Sequence, residues 1–327
     1  TNLESSEATA FAIADNRTAE LAEWNDDVLA ASLQGLDEEL QAAAGYEGKE
    51  LDQILSTLDT ADVVEDEVPE VSDDPTTQPG DLWLLGDHRL LCGNSTKQED
   101  VDRLMGGLKA DACVTDPPYN VGLGANQTVE QAKLRRKRTD GKVVENDDMP
   151  PDTFAAFCAS FVEQIKRVVT GCVYSFGPPG PDGRIMFTAF DNALHCSTTI
   201  VWNKDQFVLG RGKYQNKYEP CWFGWVESGA NFTDDRTLTN VWDFARPKRS
   251  DEHPTMKPLS LIAQAIQHCT VAKNLIYEPF CGSGTTLIAA EQLGRKCYGM
   301  ELSPQYCDVI VERWQNLTGK EARRDGT

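Results

Sequence analysis

The sequence lacks several patterns that are typical of exported, membrane and metal-binding proteins. It has no apolar run of roughly 18 residues or more and no signal-peptide pattern, so nothing in it indicates a membrane span or export. None of its ten cysteines forms a C-x-x-C pair, and it contains only four histidines. We therefore expect a cytoplasmic protein with no bound metal, whose cysteines are reduced core residues.

Acidic residues outnumber basic ones, but the excess is confined to one end of the chain. The formal net charge is −21. Residues 1–80 contain 21 Asp and Glu against 2 Lys and Arg, whereas residues 81–327 contain 31 against 29. The acidity therefore belongs to an N-terminal appendage, and the overall charge says little about the partners of the remainder.

Three segments with different patterns follow one another along the chain. Apolar residues at helical spacing over 16–44 and 48–58 predict a helical appendage in residues 1–59. Residues 60–80 are acidic and end in proline and glycine, which predicts a linker. In residues 81–327, strand-like runs alternate with helical patterns, which predicts a doubly wound, mostly parallel α/β sheet.

The first motif, Asp116-Pro117-Pro118-Tyr119, directly follows a predicted buried strand. Neither proline has an N–H for a sheet ladder, so the strand ends at Asp116 and a stiff corner follows. In an open α/β sheet, ligands bind at the carboxyl ends of the strands. Asp116 and Tyr119 are therefore candidates for a binding or catalytic role, although the same tetrapeptide is also an ordinary way to leave a strand.

The second motif, Glu278-Pro-Phe-Cys-Gly-Ser-Gly-Thr-Thr286, follows another predicted strand and opens a helix. Gly282 and Gly284 allow the backbone to approach a ligand, and the helix N-terminus supplies free N–H groups. The motif lacks the Gly-Lys-Ser/Thr of a phosphate loop, which argues against a nucleoside triphosphate. Glu301 ends the next predicted strand, where an acidic residue can accept hydrogen bonds from both hydroxyls of a ribose. A tight turn without a ligand would contain the same glycines.

Together the motifs give residues 80–317 a resemblance to amino-methylating DNA methyltransferases, which use S-adenosylmethionine. The Asp116–Tyr119 tetrapeptide resembles the catalytic tetrad of this family, and residues 253–258, His-Pro-Thr-Met-Lys-Pro, resemble the signature that precedes its cofactor strand. The catalytic motif precedes the cofactor motif, as in the β group of the family. This order implies a circularly permuted, Rossmann-like methyltransferase sheet, an arrangement that is accessible when chain ends lie close together.

The resemblance also implies which residues bind the cofactor. Met256 stands where the family usually has glutamine, and Asn94 stands where relatives often carry aspartate near the adenine of the cofactor. The side-chain carbonyl of Asn94 can still accept a hydrogen bond from that adenine. The implied cofactor-binding residues are Asn94, Asp116, Thr255, Lys257, Phe280, Cys281, Gly282, Ser283, Gly284, Thr285 and Glu301.

Double-stranded DNA is the partner that the resemblance implies. In the β group the target-recognition region lies between the two motifs, which corresponds to residues of about 204–250 here. Binding to phosphates requires cations, although a solvated charged loop would have the same composition. The candidate DNA-binding residues are Arg135, Arg136, Lys137, Arg138, Arg211, Lys213, Lys217 and Arg236.

The tetrad fits the chemistry of methyl transfer to an exocyclic amine. Such a nitrogen is a poor nucleophile because its lone pair is delocalised into the ring, and acceptors on its two N–H bonds favour a localised lone pair. Asp116 can supply one acceptor and the Pro117 carbonyl the other, both held by the stiff corner that Pro117 and Pro118 form. Tyr119 can stack on the base, which must be flipped out of the duplex.

The expected activity is methyl transfer to N6 of adenine in DNA, because the tetrad begins with aspartate. Methylation of N4 of cytosine poses the same chemical problem and stays open. A protein or RNA methyltransferase fits less well, since its tetrad usually begins with asparagine. A DNA-binding partition-type protein with a silent methyltransferase fold also stays open, although both motifs are intact.

The N-terminal helices, with NRTAELAEW and GYEGKELDQILSTLD, resemble the tail of a ParB-like domain. Such domains occur fused ahead of methyltransferases in phage and mobile elements, which implies a bacterial or phage-encoded protein. Thr1 is not a start methionine, so we expect an upstream ParB-like part that this chain lacks. An acidic helical appendage of another origin would show the same pattern, and a homodimer is compatible with it.

Overall fold

The computed structural model describes residue 45 and residues 63–120, 147–208, 213–229, 232–233, 235–246 and 256–326. The chain divides into two units, Thr1–Ala61 and Asp62–Thr327, and the description concerns the second unit. Several predictions lie outside the described residues: the helices of 1–59, the cationic cluster Arg135–Arg138, Arg211 and Thr255.

The described part of the second unit contains ten strands and six helices. The strands are β1 (Leu82–Leu85), β2 (His88–Cys92), β3 (Ala110–Thr115), β4 (Val169–Phe176), β5 (His195–Val208), β6 (Asn216–Trp225), β7 (Val241–Asp243), β8 (Leu275–Glu278), β9 (Lys296–Glu301) and β10 (Arg323–Arg324). The helices are α1 (Gln98–Met105), α2 (Pro151–Val168), α3 (Pro181–Ala193), α4 (Leu259–Cys269), α5 (Thr285–Gln292) and α6 (Pro304–Thr318).

These strands form one sheet in the order β10-β1-β2-β9-β8-β3-β4-β6-β5-β7. The central block β2-β9-β8-β3-β4 is parallel throughout, whereas β1, β6 and β10 pair with their neighbours in the antiparallel direction. From β8 the chain continues to β9 on one side, and from β3 it continues to β4 on the other. The topological switch point of the sheet therefore lies between β8 and β3, which is where open α/β sheets bind ligands.

Helices cover both faces of the sheet. One cluster of buried residues contains the apolar sides of α4, α5 and α6, and the other contains those of α1, α2 and α3. On β3, Cys113 belongs to one cluster and its neighbours Ala112 and Val114 belong to the other, as expected for a strand that is buried on both faces. The doubly wound α/β fold predicted from the sequence is confirmed.

The strand predictions were too short where polar residues continue a hairpin. The sequence TTIVWNK predicts a strand over 198–204 only, whereas β5 spans 195–208 and pairs with β6 from His195 opposite Trp225 to Val208 opposite Asn216. Backbone hydrogen bonds hold this extension, and they leave no mark in side-chain periodicity. For the same reason the sequence did not indicate β7 and β10, which contain only three and two residues.

The cysteines are core residues. All ten are free, and nine of them are buried. No cluster of three or more His, Cys, Asp or Glu side chains within the described ranges could hold a metal ion. In the same part of the chain, no helix combines the length and the apolar character that crossing a membrane requires.

Residues 63–80, which the composition predicts to be part of a linker, lie along the second unit, and we call them the N-terminal strap. Asp66 forms a two-pronged ion pair with Arg313 of α6, which is only 1% exposed. Further along the strap, the backbone N–H of Thr77 donates to the carboxylate of Asp308 at 3.1 Å. The strap is therefore bound to the sheet domain by specific polar contacts, which an acidic composition alone does not indicate.

Candidate active site

The two sequence motifs meet at one edge of the sheet. β3 and β8 are neighbouring parallel strands with Cys113 opposite Tyr277, so the Asp116 corner and the glycine loop (residues 280–284) leave the sheet side by side. β9 lies on the other side of β8, which brings Glu301 to the same edge. The carboxyl ends of these strands and the switch point coincide here, so this edge is the candidate ligand site.

The two carboxylate oxygens of Asp116 have different surroundings. Oδ2 lies 2.7 Å from Nζ of Lys257. Oδ1 is buried and has no hydrogen-bond partner among the described residues. Leaving a buried acceptor unsatisfied costs about 1–3 kcal/mol, and in native proteins such an atom commonly marks a catalytic or binding position. Oδ1 of Asp116 therefore has hydrogen-bonding capacity that no described residue uses.

Lys257 joins the Asp116–Tyr119 corner to β6. Its ammonium group lies 3.0 Å from the hydroxyl of Tyr119 and 3.1 Å from Oε2 of Glu219. The Tyr119 hydroxyl donates to the same Glu219 oxygen at 3.2 Å, and the other Glu219 oxygen pairs with Lys204. The sequence assigned Lys257 to the cofactor, whereas its contacts in the structure are with the tetrad and Glu219.

Burial and pairing together set the charges of this network. Burial opposes the charge on Lys257, but the carboxylates of Asp116 and Glu219 raise its pKa above the ordinary value. Burial also opposes ionisation of Glu219, but the ammonium groups of Lys257 and Lys204 lower its pKa to about 2. Burial, with Asp116 and Glu219 close by, raises the pKa of Tyr119 well above its ordinary value. At neutral pH Lys257 is cationic, Glu219 is anionic and Tyr119 is a neutral phenol.

Sequence reasoning missed Glu219 and Lys204. The two residues lie on the adjacent strands β6 and β5, whose pairing sets Trp202 opposite Glu219. Glu219 directly precedes the apolar run Pro220–Val226, so a charge at the border of a buried strand was the available signal. That signal is weak, because most such charges are solvated.

The glycine loop needs its two glycines for different reasons. A Cβ on Gly282 would meet no atom within 4 Å, and φ there is +53°. A Cβ on Gly284 would lie 2.9 Å from Ile310 of α6, and φ there is +88°. Both positions have a left-handed backbone that favours glycine, but open space for a ligand lies over Gly282, whereas Gly284 is also packed against α6.

Glu301 lies beside the open space over Gly282. Its Oε2 accepts a hydrogen bond from the Gly282 N–H at 2.8 Å, and its Oε1 accepts one from the Ser303 N–H at 2.9 Å. Each carboxylate oxygen can accept more than one hydrogen bond, so Glu301 can also bind hydroxyl groups. Of the other loop residues, Ser283 turns its carbonyl to Arg313 at 2.9 Å. Thr285 begins α5.

Glu278 connects the two motifs beneath the sheet edge. Its Oε1 accepts hydrogen bonds from the hydroxyl of Thr115 at 2.7 Å and from the N–H of Phe280 at 3.0 Å. Its Oε2 accepts one from the hydroxyl of Thr286 at 2.8 Å. Burial raises the pKa of Glu278 to about 8, with Asp116 adding to the shift and the three hydrogen bonds opposing it. The carboxyl is thus largely protonated at neutral pH.

Three other predicted cofactor residues make contacts within the protein. The side-chain carbonyl of Asn94 accepts two hydrogen bonds from Thr96, at 2.9 Å from its N–H and 2.7 Å from its hydroxyl. In this arrangement it has no open lone pair for an adenine amino group. Phe280 packs edge-on against Phe161 with ring centroids 5.1 Å apart, and Cys281 is buried. The last two therefore support the loop through packing.

Three of the predicted DNA-binding cations are described, and each is exposed: Lys213, Lys217 and Arg236. Tyr214 follows Lys213 and is 93% exposed, so the tip of the β5–β6 hairpin combines cations with an aromatic side chain. Phe232, another aromatic residue of the predicted target-recognition region, packs against Phe223 with ring centroids 5.2 Å apart, which gives it a role in the core.

Pro220 and Cys221 on β6 form a Pro-Cys pair. Enzymes that methylate C5 of cytosine need the cysteine of such a pair as their nucleophile. Cys221 is fully buried. Burial raises the pKa of its thiol well above the ordinary value, and the nearby Asp116 adds to this shift while Lys257 opposes it. Only the thiolate is nucleophilic, so Cys221 is a core residue in this arrangement.

Comparisons with known proteins show similarity to DNA methylases. The DNA methylase family model matches residues 224–312, a range that contains the glycine loop and Glu301. Type II methyltransferase M2.LlaDCHI of Lactococcus lactis subsp. cremoris is 29% identical over 123 residues, which are 36% of this chain and 42% of that protein. Type II methyltransferase M.HinfI of Haemophilus influenzae is 24% identical over 236 residues, which are 63% of each chain. The matches span about half the length of these relatives.

The solved structure titled PvuII DNA methyltransferase (cytosine-N4-specific) has a similar fold. Its TM-score is 0.51 at 15% sequence identity, and the alignment covers 70% of this chain and 86% of that chain. A likeness at this identity establishes the fold alone. The resemblance to amino-methylating DNA methyltransferases and the Rossmann-like methyltransferase fold, both expected from the sequence, are confirmed. The ParB-like resemblance of the N-terminal helices stays a prediction.

Proposed function

From the DNA methylase match and the geometry of the sheet edge, we propose that the chain is an S-adenosylmethionine-dependent DNA methyltransferase that acts on N6 of adenine. The observation that carries this proposal is the buried Oδ1 of Asp116, which has no partner in the described part of the chain. It is an acceptor at the end of a rigid corner, where an amino group needs one. A silent partition-type protein would have no use for such an atom.

The chain's own residues prepare the target amine. Asp116 Oδ1 accepts one N–H of the base, and the backbone carbonyl of Pro117 accepts the other, so the nitrogen lone pair is localised and directed. Lys257 holds the opposite oxygen of Asp116 at 2.7 Å, which keeps the carboxylate in one orientation. Tyr119, fixed through its hydroxyl by Lys257 and Glu219, presents its ring to the base.

Bound S-adenosylmethionine supplies an electrophilic methyl carbon on a sulfonium. Asp116 and the Pro117 carbonyl would hold the amine nitrogen in line with that carbon, and transfer of the methyl group would leave the cofactor sulfur as a thioether and release one amine proton. Alignment of the two reactants contributes more to this step than activation by an acid or a base. The residues around the site supply that alignment, and the reaction requires neither a thiolate nor a general base.

The cofactor fits the glycine loop. The space over Gly282 receives a ligand that approaches the backbone closely, and the N-terminus of α5 follows at once. Glu301 lies at the end of β9 and can accept hydrogen bonds from the two ribose hydroxyls. Because β8 and β3 are neighbours, a cofactor held by this loop would carry its methyl group close to the Asp116 corner.

DNA is proposed to approach the same sheet edge. Asn120 and Met149 hold the two ends of the segment 121–146 together, because the Asn120 side chain accepts from the Met149 N–H at 2.5 Å and donates to its carbonyl at 3.0 Å. That segment contains the predicted cationic cluster, and it therefore begins and ends beside Tyr119. A flipped base would approach Asp116 and Tyr119, and the exposed Lys213 and Lys217 of the β5–β6 hairpin are the described cations available to the phosphates around it.

The test uses the full chain with unmethylated duplex DNA and labelled S-adenosylmethionine, followed by mass spectrometry of the nucleosides. We expect N6-methyladenine from the wild type and none from Asp116→Asn or Asp116→Ala, with cofactor affinity largely kept in both. Asp152→Asn, which changes an exposed aspartate of α2, is the matched control and should stay active. Formation of N4-methylcytosine would replace adenine by cytosine as the target, and cofactor binding without any methylated nucleoside would favour the silent protein.

A further inference from the structure

Asp66 of the N-terminal strap contacts the cofactor site from behind through one buried guanidinium. Its carboxylate oxygens lie 2.7 Å from Nε and 2.6 Å from Nη2 of Arg313. The remaining nitrogen, Nη1, donates to the Ser283 carbonyl at 2.9 Å and lies 3.4 Å from the hydroxyl of Thr285. Arg313 therefore joins the strap to the glycine loop and to the first residue of α5.

Glu65 contacts the helix that follows Lys257. Its Oε1 accepts a hydrogen bond from the N–H of Leu259 at 2.8 Å. Leu259 is the first residue of α4, and the cap residue Pro258 provides no side-chain hydrogen bond. Glu65 thus supplies the carboxylate that a helix N-terminus favours. It does so two residues after Lys257, the residue that orients Asp116.

Val64 sets the position of these two carboxylates. Its N–H donates to Oε1 of Gln292 at 2.8 Å, and its carbonyl accepts from Nε2 of Gln292 at 3.0 Å. Gln292 is the last residue of α5, so three consecutive strap residues contact α5, α4 and α6. The next residue, Glu67, is exposed and has no ion pair or side-chain hydrogen bond among the described residues.

We propose that Asp66 and Glu65 are positioning residues of the methyltransferase site, Asp66 for cofactor binding through Arg313 and Ser283, and Glu65 for methyl transfer through the start of α4 and Lys257. This inference rests on the proposed function, because it assigns the strap to that site. A buried guanidinium requires a paired charge, so removal of the Asp66 charge must displace Arg313 or admit water. Either change releases the Ser283 carbonyl and with it the loop that faces the cofactor.

The test compares Asp66→Asn, Glu65→Gln and Glu67→Gln in the full chain. Each variant removes one negative charge, and the three positions are adjacent in the chain. Glu67→Gln is the matched control. Calorimetry with S-adenosylmethionine should show affinity about tenfold weaker for Asp66→Asn, the size of one lost polar contact. Single-turnover methyl transfer should slow for Glu65→Gln with cofactor affinity close to wild type. An equal loss in Glu67→Gln would overturn the proposal, since it would reflect net charge alone.

Hydrogen exchange without cofactor separates failure of this proposal from failure of the proposed function. Asp66→Asn should speed exchange of the amides at 282–286, and Glu65→Gln should speed exchange at 259–262, whether or not the wild type methylates DNA. A folded Asp66→Asn protein with wild-type exchange and wild-type cofactor affinity would overturn the proposal.

If Asp66→Asn does not fold, Asp66→Glu keeps the charge but moves the carboxylate by one methylene. Weaker cofactor affinity at an unchanged unfolding temperature supports the proposal, and unchanged affinity overturns it.

Discussion

Lys257 Nζ lies 2.7 Å from Oδ2 of Asp116, although the two residues are 141 positions apart in the chain. This ion pair occupies one carboxylate oxygen and leaves Oδ1 without a partner among the described residues. Lys257 also contacts Tyr119 at the far end of the same tetrapeptide. The Asp116–Tyr119 corner is therefore held by a lysine that lies outside the motif itself.

Replacing Lys257 with methionine should slow single-turnover methyl transfer on the order of 100-fold, because a misplaced reacting group carries a cost of this size. The free energy of unfolding should also fall by about 3–5 kcal/mol, since the change breaks a buried ion pair. Rapid-quench kinetics and urea unfolding measure the two effects, with Lys166→Met on the exposed side of α2 as the control. If calorimetry instead shows that cofactor affinity is lost while the rate at saturation is kept, Lys257 has the cofactor role expected from the sequence.

Gly282→Val should impair cofactor binding, whereas Gly284→Val should impair stability. Gly282→Val would put its side chain into the open space over the loop, so cofactor binding should be abolished, and stability should fall only by the strain of a β-branched residue at φ +53°. Gly284→Val would bring its Cβ to 2.9 Å from Ile310, so stability should fall first. Thermal unfolding and calorimetry on both variants check this contrast. A Gly282→Val protein that binds S-adenosylmethionine normally would remove the loop from the cofactor site.

The stability of the protein should decrease as pH rises through the range in which Glu278 titrates. Its pKa is raised from the ordinary value of 4.5 to about 8 in the folded state. Between these values the folded protein keeps a proton that the unfolded chain releases, so rising pH favours unfolding and the contribution is lost through about pH 8. Glu278→Gln keeps the shape without ionising and should flatten this part of the curve. Equal pH slopes in urea unfolding of the wild type and the variant would contradict the prediction.

Two truncations should have different outcomes. Deletion of residues 1–61 removes the first unit alone and should leave a soluble, active methyltransferase. Deletion of residues 1–75 also removes Asp66 and leaves Arg313 as an unpaired buried charge, which costs about 3–5 kcal/mol. Unfolding temperature and methyl transfer should therefore fall in the longer deletion only. The composition of residues 60–80 predicts that the two truncated proteins behave alike. Equal stability and activity would therefore show that these residues act only as a linker.

The cationic segment should contribute to DNA affinity without affecting sequence choice. Replacing Arg135, Arg136, Lys137 and Arg138 with alanine should weaken binding to all duplexes alike. Each lost phosphate contact should lower the slope of log K against log salt by roughly 0.9. Fluorescence anisotropy at several salt concentrations measures the slope, and cofactor affinity serves as the internal control. An unchanged slope would shift the phosphate contacts to Lys213 and Lys217 of the exposed hairpin.

The sequence by itself determined the features that depend on local backbone chemistry. Two prolines ended β3 at Thr115, directly before Asp116, and glycines with positive φ marked the loop that opens α5. The alternation of strands and helices then placed both motifs at the carboxyl ends of parallel strands, so their meeting followed from the α/β pattern. These inferences succeeded because each concerns residues that are close in sequence or strands whose order the chain connectivity restricts.

The tertiary structure alone decided which charges are buried and with what partners. Tyr119 meets Glu219 across 100 positions, and Asp66 meets Arg313 across 247. In sequence, Glu219, Lys204 and Asp66 look like ordinary surface charges, because nothing local distinguishes a solvated carboxylate from one that faces a buried cation. Only the packing of β5 and β6 beside β4, and of the strap against α6, brings opposite charges within hydrogen-bond distance where water is excluded. Burial of the cation in each pair strengthens the contacts that hold Asp116 and the glycine loop.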